Sequence, residues 1–243
     1  MADIRHTGGE ENEEQTHSQR CLKLLHGGKS MADEPATRTI MVVDDEPDIR
    51  ELMKDILTSY GFDIILASSH AECMAKLKEK TPDLILLDIM MPEVDGWETL
   101  KSLKSNPHTK NIPVAMLTVV VPTYRDFIEK DIYSLVHYII KPFTTENLME
   151  KVRGIFQFQE MVNTSGSAIS DKLAADISTE YTKLLKMVSI HEKLMNLVKS
   201  FYAGREQFLR EKTEQLFKLQ QKTIESYKKR LDNIRTDVEE VDT

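Results

Sequence analysis

Five side chains of this sequence have the types that phosphoryl chemistry uses, and each closes an apolar run. Asp44 and Asp45 follow Thr39–Val43, Asp88 follows Leu84–Leu87, Thr118 follows Ile112–Leu117, and Lys141 follows Tyr138–Ile140. Three carboxylates gathered without a cation repel one another, and oxygen-only ligands select a hard divalent ion such as magnesium. A carboxylate beside such an ion and a lysine is also a nucleophile toward phosphorus. Asp88 would take a phosphoryl group as an acyl phosphate, with Lys141 and the metal spreading its charge and the Thr118 hydroxyl donating to one oxygen. A single aspartate at a strand end is more often a cap or a turn residue. Chemically matched residues on four strand ends are not explained that way.

For these residues to meet, the apolar runs must be neighbouring parallel strands. The run 84–88 is short, free of charge and closed by the turn residues Pro92–Gly96, which suits a central strand. Ligands of open α/β sheets bind at the carboxyl ends of such strands. Around it the spacing predicts strands at Thr39–Val43, Phe62–Leu66, Ile112–Leu117 and Tyr138–Ile140. Helices are expected from Pro47 to near Gly61, over Ala71–Glu79, Trp97–Lys104 and Tyr124–Lys130, and from a Thr144 cap to about Phe158. The first of these puts Ile49, Leu52, Met53, Ile56 and Leu57 on one face. The Lys141-Pro142 pair invites a cis peptide that aims the ammonium inward. Five strands alternating with helices give the expected fold class: α/β, a five-stranded parallel doubly wound sheet of flavodoxin-like type, followed by an all-α coiled-coil or hairpin region.

Composition narrows the function classes. The formal net charge of −8 argues against a duplex-coating protein, whose affinity comes from basic surface. Cys21 and Cys73 fit neither a disulfide framework nor a metal-ligand spacing. No apolar stretch reaches the roughly 18 residues of a membrane span, so no membrane partner is expected and the location reads as cytoplasmic. Residues 1–37 read as a disordered leader with an acidic cluster at Glu10–Glu14. The GGKS at Gly27–Ser30 lacks the leading glycine and strand of a phosphate loop, and Gly8–Glu11 echoes a cyclic-dinucleotide synthase signature with no domain around it. Met31-Ala32-Asp33 repeats the opening tripeptide and offers a second start.

The motifs VVDDEP, LLDIMMPEVDGWE, AMLT and YIIKPF, in this order and with these intervals, resemble the receiver domain of two-component response regulators, similar to the chemotaxis switch protein. The resemblance covers about half of the chain. It implies a signalling phosphoacceptor rather than an enzyme, with slow self-dephosphorylation at most, fed by a sensor histidine kinase and dependent on Mg2+. By the same resemblance Asp88 is the phosphoacceptor, Asp45 binds the metal directly, Asp44 binds it through water, and Met90 lends its backbone carbonyl. Thr118 and Lys141 become the switch and phosphate-binding pair, and Tyr138 the aromatic that turns inward when the threonine moves.

The departures from that pattern are informative. Val119, Val120, Val121 and Pro122 follow Thr118 where a small residue is usual. Met90 and Val120 hold positions that in fast-resetting relatives orient a hydrolytic water, which apolar side chains cannot do; the expectation is a slowly decaying acyl phosphate. Tyr133-Ser134-Leu135-Val136-His137 replaces the usual Gly-Ala pair before the last strand. The face made by that strand and its two flanking helices is the expected partner surface, with Phe127, Tyr133, Phe156 and Phe158 as aromatic contacts.

The expected domains are a receiver at 38–160, a polar linker at 161–170 centred on Asn163–Ser167, and a helical output or dimerisation region at 171–243. One apolar series there runs Ile177, Tyr181, Leu184, Val188, Met195, Val198, Tyr202, and a second runs Phe217, Ile224, Tyr227, Leu231, Ile234, Val238, Val241. A single helix would extend about 96 Å at 1.5 Å per residue and require a partner helix; a break at Gly204 would give a hairpin able to dimerise as a four-helix bundle. A homodimer acting on a downstream protein is the favoured output. Two other readings compete with it: a transcription regulator using an unorthodox helical region on DNA, and a phosphorelay protein using His191. The latter is a poor match to a histidine-kinase box and falls on the first apolar seam.

Overall fold

The structure is a computed structural model that describes residues 37–119, 135–171, 173–202 and 207–241. The leader through residue 36, the helix expected at Tyr124–Lys130, the aromatics Phe127 and Tyr133, Val120 and the Gly204 break lie outside the described residues. The elements are β1 (Thr39–Val43), α1 (Pro47–Ser59), β2 (Asp63–Ala67), α2 (His70–Lys76), β3 (Leu84–Asp88), α3 (Gly96–Ser105), β4 (Val114–Thr118), β5 (His137–Ile140), α4 (Thr145–Ser170), α5 (Ala175–Tyr202) and α6 (Gln207–Val241). The strands form one parallel sheet, as the alternating pattern predicts, and their order is β2-β1-β3-β4-β5.

Side chains of successive strand residues leave opposite faces, so each strand feeds two cores. On one face Met41, Val43, Ile85, Leu87, Val114 and Met116 pack with Cys73 of α2 and Leu100 and Leu103 of α3. On the other, Ile40, Val42, Leu84, Leu86, Ala115 and Leu117 pack with Met53 and Leu57 of α1 and Leu148, Val152 and Ile155 of α4. Burial on both faces is why the strands read as unbroken apolar runs. Leu52 departs from its expected place on the inner face of α1: it is 51% exposed.

The carboxyl-terminal region differs most from expectation. Residues 161–170 are not a linker, because α4 continues without a break for 26 residues to Ser170. The small residues that suggest flexibility are there for close packing. Ser165 and Gly166 are buried, the Gly166 carbonyl accepts a hydrogen bond from Ser178 Oγ at 2.7 Å, and a Cβ on Gly166 would meet Thr182 Cγ2 at 2.6 Å.

Between the two arrangements open for the last residues, the structure has the hairpin. Arg230 grips Glu180 with two hydrogen bonds of 2.8 Å, Arg235 Nε donates to Tyr181 Oη at 3.0 Å, and Lys228 pairs with Glu192 at 2.7 Å. Early α5 thus faces late α6, which is antiparallel packing. Helix α5 also reaches the sheet: Ile190 and Leu194 are 1% exposed and join the apolar cluster beside Tyr138, with Leu197 packed at its edge.

Candidate functional site

Strand register places the chemistry. Val43 pairs with Leu87, so Asp44 and Asp88 leave adjacent strands at the same level. Asp88 pairs with Leu117, and Thr118 pairs with Ile140, which brings Thr118 and Lys141 to the same edge. The Lys141-Pro142 peptide is cis, as the pair invites.

The lysine ammonium is the centre of the cluster. Lys141 Nζ donates to Asp44 Oδ2 at 2.6 Å and to Asp88 Oδ1 at 2.7 Å. The other oxygen of each aspartate accepts from the backbone, Asp44 Oδ1 from Glu46 N at 3.0 Å and Asp88 Oδ2 from Met90 N at 2.7 Å. Asp44 is fully buried, Asp88 5% exposed and Thr118 2% exposed. Asp45 is half-buried at the mouth.

Electrostatics follow from that count of charges. Burial pushes the Asp88 carboxyl above its ordinary range and Asp44 pushes it the same way, while Lys141 and the Met90 amide pull it down without winning. Burial opposes the Lys141 ammonium, but its hydrogen bonds to Asp44 and Asp88 outweigh that and hold its pKa above the usual lysine value. Asp44 and Asp88 share the one Lys141 ammonium, which leaves that trio with an excess of negative charge. The carboxylates of Asp44 and Asp88 are oxygen donors of the kind a hard divalent ion takes. Among the described residues, no three acidic, histidine or cysteine side chains stand close enough to form a finished metal site. Lys141 occupies the position between the two buried aspartates.

The rim is apolar. Met90, two residues after Asp88, is 62% exposed, and Val119, directly after Thr118, is 58% exposed. Tyr138 lies inward, 4% exposed, with its ring centroid 6.2 Å from that of Trp97.

Two of the aromatics expected at a partner face have other roles. Phe156 is 6% exposed and stacks on Phe62 at 5.7 Å, and Phe158 lies half-buried under the Lys193 ammonium at 5.2 Å. His191 is 1% exposed, its Nδ1–H donates to the Met187 carbonyl at 2.6 Å, and its ring meets Tyr227 edge-on at 5.9 Å. It is a packed histidine at the α5–α6 interface and presents no nitrogen to a phosphoryl donor.

Sequence reasoning missed Ile190 and Leu194. Their signal is present in the series Leu184, Leu185, Val188, Ile190, Leu194, Met195, which covers more of a helix circumference than one partner requires. A helix apolar on two sides lies between two neighbours, here α6 and the sheet. Among the described residues, no helix is long and apolar enough to cross a membrane.

Residues 40–153 match the response regulator receiver domain. Protein PilG of Pseudomonas aeruginosa is 33% identical over 47% of this chain and 84% of its own length. The alkaline phosphatase synthesis transcriptional regulatory protein PhoP of Bacillus subtilis is 30% identical over 61% of this chain and 60% of its own, and the phosphate regulon transcriptional regulatory protein PhoB of Escherichia coli is 36% identical over 49% and 52%. The chain spans about half the length of the transcriptional regulators it matches. Among solved structures, the Vibrio cholerae chemotaxis protein CheY4 aligns with a TM-score of 0.47 and 26% identity over 49% of this chain and 99% of that one. The amino-terminal domain of a receiver protein from Methanoculleus marisnigri aligns with a TM-score of 0.42 and 41% identity over 49% and 96%.

Proposed function

The chain belongs to the response regulator receiver family, and on that premise we propose that Asp88 accepts a phosphoryl group from a sensor histidine kinase and thereby switches the helical region that follows. The observation that carries this is the ammonium of Lys141 held between Asp44 and Asp88, three residues at the carboxyl ends of three different strands. The Asp88 carboxylate attacks the phosphorus of a phosphohistidine. The P–N bond breaks, the imidazole nitrogen keeps the electron pair and takes a proton, and an aspartyl phosphate forms. Asp44, Asp45, Asp88 and the Met90 carbonyl would hold Mg2+, which would neutralise the excess of acid. Lys141 moves its ammonium onto a phosphoryl oxygen, and the Thr118 hydroxyl donates to another.

Moving a two-state domain from almost off to almost on takes about 5.5 kcal/mol of differential stabilisation. One charge-assisted hydrogen bond from Thr118 supplies about 1.5–3 kcal/mol. The rest comes from the lysine and metal contacts and from Tyr138, which shares its apolar cluster with Ile190 and Leu194 of α5. The receiver of residues 38–160 and the helical output of residues 171–243 are thereby coupled through β5. The output is a protein-contact module in a cytoplasmic homodimer.

Incubation with acetyl phosphate and Mg2+ tests the acceptor. A base-labile label that disappears in Asp88→Asn is the expected result; a folded protein that takes no label overturns the reading. Light scattering with and without beryllofluoride and Mg2+ tests the dimer, which is expected in both states.

The names of PhoP and PhoB favour one other output, DNA binding. A mobility shift with genomic fragments separates the two. Sequence-selective binding that rises on phosphorylation would replace protein contact as the output and leave the role of Asp88 intact.

A further inference from the structure

A cavity of about 750 Å³ opens between β5 with the turn after it, α4 and α5. It is distinct from the acid pocket, since Lys141 on its wall turns its ammonium to Asp44 and Asp88. Its size is that of pockets that enclose small molecules. Its charge is one-sided: Lys151 of α4 and Lys193 of α5 line it, and among the described residues no carboxylate does.

Among the described residues, neither lysine is paired with an acid. Lys193 has a long 3.4 Å hydrogen bond to the Val136 carbonyl and lies over the Phe158 ring. Burial, and then repulsion from Lys151, hold its pKa down to about 8. The nearby His137 does not relieve the charge and does not add to it. Its Nδ1–H donates to the Tyr138 carbonyl at 2.6 Å, and burial followed by Lys193 pushes its pKa down to about 3, so the ring is neutral. Lys151 and Lys193 both line the cavity, both are half-buried and they repel each other, and an anion bound between them reverses the sign of that interaction. Asn147 and Asn196 add neutral side-chain amide donors to the lining.

We infer that this cavity is a binding site for a small anion bearing two or more phosphate charges, clasped between Lys151 and Lys193. Two cations on separate helices match a diphosphate better than a monoanion, and the cavity leaves room for a nucleoside beyond it. Because the clasp joins α4 to α5, an occupant fastens the helical hairpin to the receiver independently of Asp88.

Titration calorimetry on the full chain without Mg2+ and at constant ionic strength tests this, with pyrophosphate, ADP and citrate as probes. Saturable binding of pyrophosphate or ADP is expected, weakened about tenfold or more in Lys151→Gln and Lys193→Gln, as loss of a charge-assisted contact requires. Lys193→Arg, which keeps the charge, and Asp88→Asn, which disables the acid pocket, are both expected to retain it. Binding of citrate alone would overturn the phosphate assignment. Absence of saturable binding, or affinity unchanged in both glutamine variants, would overturn the site.

Discussion

A Cβ placed on Gly96 would stand 2.2 Å from the carbonyl oxygen of Asp88 and 2.8 Å from Ile89 Cα. The first residue of α3 is thus pressed against the end of β3, and the Gly96 amide donates to the Ile89 carbonyl at 3.0 Å. Backbone atoms cannot yield as a side-chain tip can. Gly96→Ala is expected to cost about 2 kcal/mol or more in urea unfolding and to lower the rate of acetyl phosphate labelling, because Asp88 must move to admit the methyl group.

Lys141→Met removes the only ammonium that, among the described residues, is bonded to the two buried aspartates. In EDTA the variant is expected to lose about 3 kcal/mol, the usual cost of stranding buried charge. Added Mg2+ should restore more of the melting temperature in the variant than in the parent, since the metal takes over the missing positive charge. Equal Mg2+ effects in the two proteins would contradict this.

The exposed Met90 thioether beside Asp88 has no atom with which to orient an attacking water. Met90→Asn combined with Val120→Glu supplies two polar groups at those positions. The lifetime of the labelled aspartate is expected to fall several-fold, as read by loss of base-labile phosphate over time.

Lys193 sets a pH dependence of stability. Its folded pKa of about 8 lies below the ordinary value of 10.5, so between those values the unfolded chain holds a proton that the folded chain has released. Stability therefore rises with pH across that window. Lys193→Met should remove this rise, a difference on the order of 1 kcal/mol once partial exposure is allowed for. Urea midpoints of parent and variant at pH 7.5 and pH 10 measure it.

The receiver fold was legible because its strands are buried on both faces and end in chemically matched residues. Asp44, Asp88, Thr118 and Lys141 could be placed together from strand ends alone, since parallel register brings equal levels side by side. What could not be read was the partner of each helix face. Leu52 follows the helical period yet is exposed, and Ile190 and Leu194 fall off the seam that faces α6 yet are buried. Periodicity reports that a face is apolar; which neighbour covers it is a property of three-dimensional packing. The polar letters of Asn163–Ser167 misled for the same reason. Small residues mark a loose tether or a tight helix crossing equally well, and Ser178 and Thr182 decide for the crossing.

Helix α4 begins at the site, one cap residue beyond the Phe143 that follows Lys141-Pro142, and runs about 39 Å at 1.5 Å per residue before the chain turns into α5. Its first half is bolted to the sheet and its second half carries the hairpin, so the two parts share one rigid beam instead of a hinge. A tilt of a few degrees at its root sweeps the far end through a couple of ångströms, about as far as a side chain must shift to lose its neighbour. If Asp88 is phosphorylated as proposed, such leverage would carry the added charge to the far end of the molecule alongside the Tyr138 contacts, with no tethered domain to release.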